Sequence, residues 1–220
     1  MSAQPLRATP DEKLMRAAKI SPGYSAKKHI ATTAAIAGAI LAGAVVLATS
    51  ARPVDWILLP TFWLVANFIE WAFHRYPMHR PLTPRLLYKN HAQLHHLAFT
   101  EETMPITETR ELDLVMMPWY TMIGLFVIAS PVFILAGILR GPGLTGVFLI
   151  AAVLYFVAYE LLHALYHLPL GTLASAGLRP GGLFFRLRAH HARHHVLRRM
   201  AHANFNVTIP LMDWLLRTRE

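Results

Sequence analysis

The chain is 220 residues long, 55% hydrophobic and only 15% charged, with a mean hydropathy of +0.37, whereas an ordinary soluble domain carries about 25% charged residues. It has no cysteine, which excludes disulfides, thiolate zinc sites and cysteine-held iron–sulfur clusters. Any bound metal is therefore held through nitrogen and oxygen, and the length predicts one compact unit without a separate redox domain.

Taken in chain order, residues 1–29 form a polar leader, with a short interfacial helix expected over 11–20. A first membrane span is predicted at 30–49, almost entirely Ala, Ile, Val, Leu and Gly; its length and the leader before it distinguish it from a cleaved signal. A second follows at 54–73, after the turn Ala51-Arg52-Pro53. A third is expected at 114–139, with Pro118 and Pro131 as kinks, and a fourth at 144–162, after Gly141-Pro142-Gly143. Residues 168–185 read as an irregular or membrane-skimming connection. The short turns predict two helical hairpins, which return the N-terminus, residues 74–113 and the C-terminal tail to one side. Of the 21 Lys and Arg, 19 fall on that side, and only Arg52 and Arg140 lie opposite. This bias places the shared side in the cytoplasm and both termini with it. It also accounts for the formal charge of +9 without a nucleic-acid partner.

Eleven of the 13 histidines fall into four groups on that same side: His74 and His79; His91, His95 and His96; His163 and His167; and His190, His191, His194 and His195. Residues three or four apart share a helix face. That pairs His163 with His167 and His91 with His95, with His96 alongside, and sets His191, His194 and His195 on one stripe. His74 and His79 diverge on an ideal helix, and Pro77 between them is expected to bend the chain and swing His79 back. Crowded imidazolium rings repel, whereas neutral rings can share a cation, and imidazole suits iron, zinc, copper and nickel. The four groups together predict a metal site. Alone, the 190–195 run among Arg186, Arg188, Arg193, Arg198 and Arg199 also reads as a basic patch facing lipid headgroups. His29, beside Lys27 and Lys28, reads as an ordinary surface or hydrogen-bonded residue.

The chain resembles the fatty acid hydroxylase superfamily, the sterol desaturase-like membrane di-iron oxygenases. The residues that carry the resemblance are Glu70-Trp-Ala-Phe-His74-Arg-Tyr-Pro-Met-His79, His91-Ala-Gln-Leu-His95-His96 and His191-Ala-Arg-His194-His195. The closing segment from Asn204 through Asp213 to Thr218 and the pair His163 and His167 complete it. The resemblance spans about Glu70 to Thr218. It implies two iron ions shared among His74, His79, His91, His95, His96, His163, His167, His191, His194 and His195, with zinc possible in expressed protein. It leaves His190 and His202 as extras; His190 competes with His191, and the closing box favours His191.

The expected fold is thus an all-α integral membrane protein: four transmembrane helices in two hairpins, with a cytosolic histidine-rich helical cap holding a dinuclear metal site. Residues 1–29 are expected as a cytosolic tail and 30–220 as a single membrane-embedded domain. The expected activity is O2-dependent hydroxylation of a lipid C–H bond, on a fatty acyl, sterol or carotenoid-like substrate. Desaturation on the same site is the closest rival. A zinc-dependent hydrolase ranks below, since it needs about three protein ligands and an open position. A haem-b carrier or a metal transporter would hold its histidines inside the spans. Electrons come from an external donor such as a ferredoxin or a cytochrome. Glu70 and Glu160, near the ends of spans, are candidates to orient ligating rings by hydrogen bonds, the alternative for Glu70 being an ion pair with Arg75. Asp213 either ties the closing segment to the site or caps the turn at Trp214.

Overall fold

The computed structural model describes residues 8–83, 85–178 and 180–220, and among these it is helical without a strand. In chain order the helices are α1 (Pro10–Lys19), α2 (Ala26–Ala48), α3 (Pro53–Ile57), α4 (Leu59–Phe73), α5 (Arg85–Tyr88), α6 (His96–Ala98), α7 (Thr121–Arg140), α8 (Pro142–Tyr166), α9 (Leu170–Ser175), α10 (Leu183–His194) and α11 (Leu211–Leu215). Two π-helical stretches, His74–Met78 and Lys89–His95, extend α4 and join α5 to α6, and a 3-10 helix covers Thr109–Leu114. Among the described residues, four helical segments are long and apolar enough to cross a membrane: Ala26–Ala48, Pro53–Met78, Thr121–Arg140 and Pro142–Tyr166. Large apolar side chains such as Val127, Ile134, Ile138 and Leu139 are exposed, as a lipid-facing surface requires.

The chain divides into two compact units. One comprises Ser25–Ala66 and Met117–Glu160. Its buried Ala37, Met122 and Val153 pack with Ile36, Ile40, Leu41, Phe126 and Phe156. Gly143 and Gly146 permit close approach at the start of α8: a Cβ on either would come within 3.0 Å of backbone atoms of residues 44–51. Gly141, at φ +89°, ends α7 in the left-handed region that favours glycine. The buried carboxylate of Asp55 gathers both Arg52, at 3.2 Å, and Arg140, at 3.5 Å. These are the two basic residues that stand outside the charge bias.

The second unit comprises Asn67–Met116, Leu161–Glu220 and the described part of Met1–Tyr24. Trp71, Phe205 and Met212 form an apolar cluster there. The expected interfacial helix at 11–20 is α1, which starts on a capping box: the Thr9 amide donates to Glu12 at 2.7 Å, and the Glu12 amide to Thr9 Oγ1 at 3.3 Å. Its Arg16, however, is wholly buried in protein.

Each span shifts from expectation, the first beginning at Ala26 rather than 30. The third span begins at Thr121 rather than 114, because Pro118 lacks the N–H to continue a helix and the backbone before it serves side chains instead: Leu114 O accepts from His95 at 2.8 Å and Met117 N donates to Glu160 at 3.2 Å. Pro118 therefore precedes the helix, and Pro131 alone lies inside it. The second and fourth spans run on past 73 and 162 to carry His74 and His163. Parts of the 168–185 connection are helical, as α9 and the start of α10.

Replacing Gly146 by valine should destabilise the protein by about 1–3 kcal/mol through overpacking. The check is denaturant titration in detergent, in which Gly38→Ala, facing open space, should leave the midpoint unchanged or raise it.

Candidate metal centre

All ten histidines named as ligands are buried and converge in two groups of five. His74, His79, His91, His96 and His194 form one, and His95, His163, His167, His191 and His195 the other; within each, the candidate ligand nitrogens lie within 4.8 Å of one another. The groups adjoin, with the His96 and His195 rings stacked at 4.4 Å and His91 and His95 at 5.0 Å.

Helix type decides which ring enters which group. A π-turn closes i to i+5 bonds, so residues five apart come together. The His74 and His79 rings stack at 5.1 Å across the first π-turn. His96 N–H bonds His91 O at the end of the second, and the two rings meet at 4.7 Å. Pro77 therefore lies within a π-turn, and no swing back from a diverging α-helix is needed. His95, one residue before His96, points to the other group. His191, His194 and His195 do lie together, with ring centroids 4.7–6.1 Å apart, but they are divided between the two groups. Successive helical residues differ by about 100°, so His194 joins the first group while His191 and His195, four apart, join the second.

Five rings are aimed by hydrogen bonds from Nδ1–H to backbone carbonyls. His95 donates to Leu114 at 2.8 Å, His167 to Met104 at 2.9 Å, His194 to Ala203 at 2.8 Å and His195 to Phe99 at 2.5 Å; His74 donates to Phe205. That fixes the tautomer and turns Nε2, with its lone pair, inward.

The inward nitrogens cannot satisfy one another. His91 Nε2 faces His74 Nε2 at 2.7 Å and His96 Nε2 at 3.1 Å, yet one N–H serves only one acceptor. His191 Nε2 likewise meets His195 at 3.1 Å and His167 at 3.4 Å, both already committed through Nδ1. His95 Nε2 is buried with no hydrogen bond at all. A cation in each group would supply the partner that these lone pairs lack, and each group could hold one.

Burial, then the neighbouring rings, holds His91, His95, His96, His167, His191 and His194 well below the usual imidazole range. The same causes push His79 down to about 2. Burial lowers His195 to about 4, opposed by its bond to Phe99 O. All these rings are neutral at pH 7, the form that ligates.

The remaining candidates hold the surroundings. Glu70 accepts from Thr208 N at 3.0 Å and Thr208 Oγ1 at 2.6 Å, and from Val207 N. It thus pins the segment whose Phe205 O aims His74. Arg75 lies over the Trp71 ring, 4.9 Å from its centroid. Glu160 accepts from the Met117 amide. His190 Nε2 donates to Asp213 at 3.0 Å, and Asp213 also takes Phe205 N at 2.9 Å, Asn206 N at 2.7 Å and Thr218 Oγ1 at 2.7 Å. Asp213 therefore ties the closing segment together. Burial raises its pKa, but these four bonds outweigh burial and leave it lowered. His202 is exposed, and His29 bonds Met117 O at 3.0 Å. Arg16 and Glu111 went unnoticed in the sequence; no spacing separates them from neighbouring charges.

Residues 59–218 match the family model described as fatty acid hydroxylase. No curated protein and no solved structure matches the chain.

The lowered imidazole pKa values set a pH dependence. The unfolded chain takes up these protons first, so the stability from neutral rings is complete above about 6.5 and is lost as pH falls toward the folded values, about 4 for His195. The metal-free protein should therefore melt at progressively lower temperature below about pH 6.5. A melting temperature that holds or rises on acidification from neutrality to about pH 5 would contradict this.

Proposed function

The chain belongs to the fatty acid hydroxylase family, and on that premise we propose that it is a membrane-bound di-iron oxygenase that hydroxylates a C–H bond of a lipid carrying an acyl, sterol or carotenoid-like chain. The observation that carries this reading is the pair of adjoining five-histidine groups. Zinc sites use four ligands, or three and an open position, fewer than either group offers, which disfavours the hydrolase.

Two irons held there supply reductive activation of dioxygen: one oxygen atom enters the C–H bond and the other leaves as water, with two electrons and two protons from outside. The protein holds the rings neutral and aimed, and it keeps water away. Phe99 packs against His95 and His167 at 5.6 and 4.9 Å, and Phe205 against His74 and His194 at 5.9 and 5.8 Å; both phenylalanines are fully buried. Such walls strengthen the electrostatics inside and block side reactions.

His74 and His163 lie near the C-terminal ends of two of the four apolar segments, which supports a centre where those helices leave the lipid. The 19-to-2 split of basic residues supports a two-hairpin topology in the inner (cytoplasmic) membrane, with the histidine-rich cap and both termini in the cytoplasm. Electrons come from an external ferredoxin or cytochrome, and an acidic donor suits the basic cytoplasmic side.

Lipid mass spectrometry of cells with and without the gene tests the activity. A gain of one oxygen atom on one lipid class is expected. A loss of two hydrogens instead would make the protein a desaturase on the same site. Metal analysis after anaerobic purification should find two irons per chain, and one tightly held zinc would favour the hydrolase.

A further inference from the structure

Helix α1 lies outside the segment that matches the family, yet it carries Arg16, which has no exposed surface. The guanidinium is enclosed by a single segment of chain. Nε donates to Ala98 O at 2.8 Å, Nη1 to Pro105 O at 3.1 Å and Nη2 to Thr103 O. Nη1 also meets Glu111 at 3.1 Å, and the group lies 4.4 Å from the centroid of the Phe99 ring. Glu111 in turn takes Thr107 N and Thr107 Oγ1, each at 2.8 Å. A planar fork with five donors can hold four acceptors and stack on a ring; a lysine ammonium cannot.

The carbonyls beside those that Arg16 holds are the ones the imidazoles use. Phe99 O, next to Ala98 O, accepts from His195; Met104 O, between Thr103 O and Pro105 O, accepts from His167. The 3-10 helix that bears Glu111 ends at Leu114, whose carbonyl accepts from His95. All three rings belong to the second group. The first group takes its carbonyls from Ala203 and Phe205, on the separate segment held by Glu70 and Asp213.

We infer that Arg16 is a positioning residue for the second metal ion alone: α1 inserts a guanidinium that fixes residues 98–114, and that segment fixes the tautomer and aim of His95, His167 and His195. The inference rests on the two-ion reading of the site. Its consequence is selectivity, because a residue that merely helped the chain to fold would affect both ions alike.

The test uses full-length protein carrying Arg16→Lys, Arg16→Gln or, with Arg16 left in place, Glu111→Gln. Each is titrated anaerobically with isotopically enriched iron(II) and followed by Mössbauer spectroscopy. Wild type should bind two ions. The Arg16 variants should bind one with wild-type affinity and the other about 10- to 100-fold more weakly, with one iron signal altered and the other unchanged; Glu111→Gln should shift the same signal by less. Two ions bound as in wild type, or both weakened equally across the variants, would overturn the inference. Wild-type protein that binds fewer than two ions would instead overturn the two-ion reading.

Discussion

Ten imidazoles packed away from water must stay neutral and keep their lone pairs turned inward, and the surrounding structure is arranged around that requirement. Protonating any ring in the cluster would bring a charge into a dry site among its neighbours. Leaving a ring free to rotate would lose the aim of Nε2. Burial meets the first need, and hydrogen bonds from Nδ1 to backbone oxygen meet the second for His74, His95, His167, His194 and His195.

That solution imposes a second one. Carbonyls inside an α-helix already accept backbone N–H, so the oxygens that aim the rings come from irregular chain or a helix end: Phe99, Met104 and Leu114, the last residue of the 3-10 helix, in one segment, Ala203 and Phe205 in another. Irregular chain holds a position only if something fixes it. Buried polar side chains do so here. Arg16 and Glu111 clasp the first segment, and Glu70, Asp213 and Asn67 the second; Asn67 Nδ2 reaches Ile209 O at 2.9 Å. Removing one partner from such a network leaves a buried polar group unsatisfied, which is costly. Charges that look remote from the histidines therefore hold the backbone whose carbonyls aim them.

The parts of this design that depend on composition and local spacing were legible in the sequence. Apolar length alone located four helices able to span a membrane, and the density of histidine beside them marked the clusters that could hold metal. The division of the ligands into two groups was not legible, because it turns on two π-helical stretches that change the repeat from four to five. An α-helical reading pairs His91 with His95, whereas the chain pairs His91 with His96. The start of the third span was misread for a related reason. Leu114, Val115 and Met116 are apolar enough for lipid, but Leu114 gives its carbonyl to His95. Arg16 was invisible because its partners are backbone oxygens more than 80 residues away, and no sequence pattern records a carbonyl.

The most direct measurement is X-ray absorption at the iron edge of anaerobically loaded protein, read for the number of imidazole rings around each metal. Two ions per chain are expected, each surrounded by about five histidines, with no other dominant ligand type. One ion per chain, or a shell with only two or three imidazoles per metal, would contradict this.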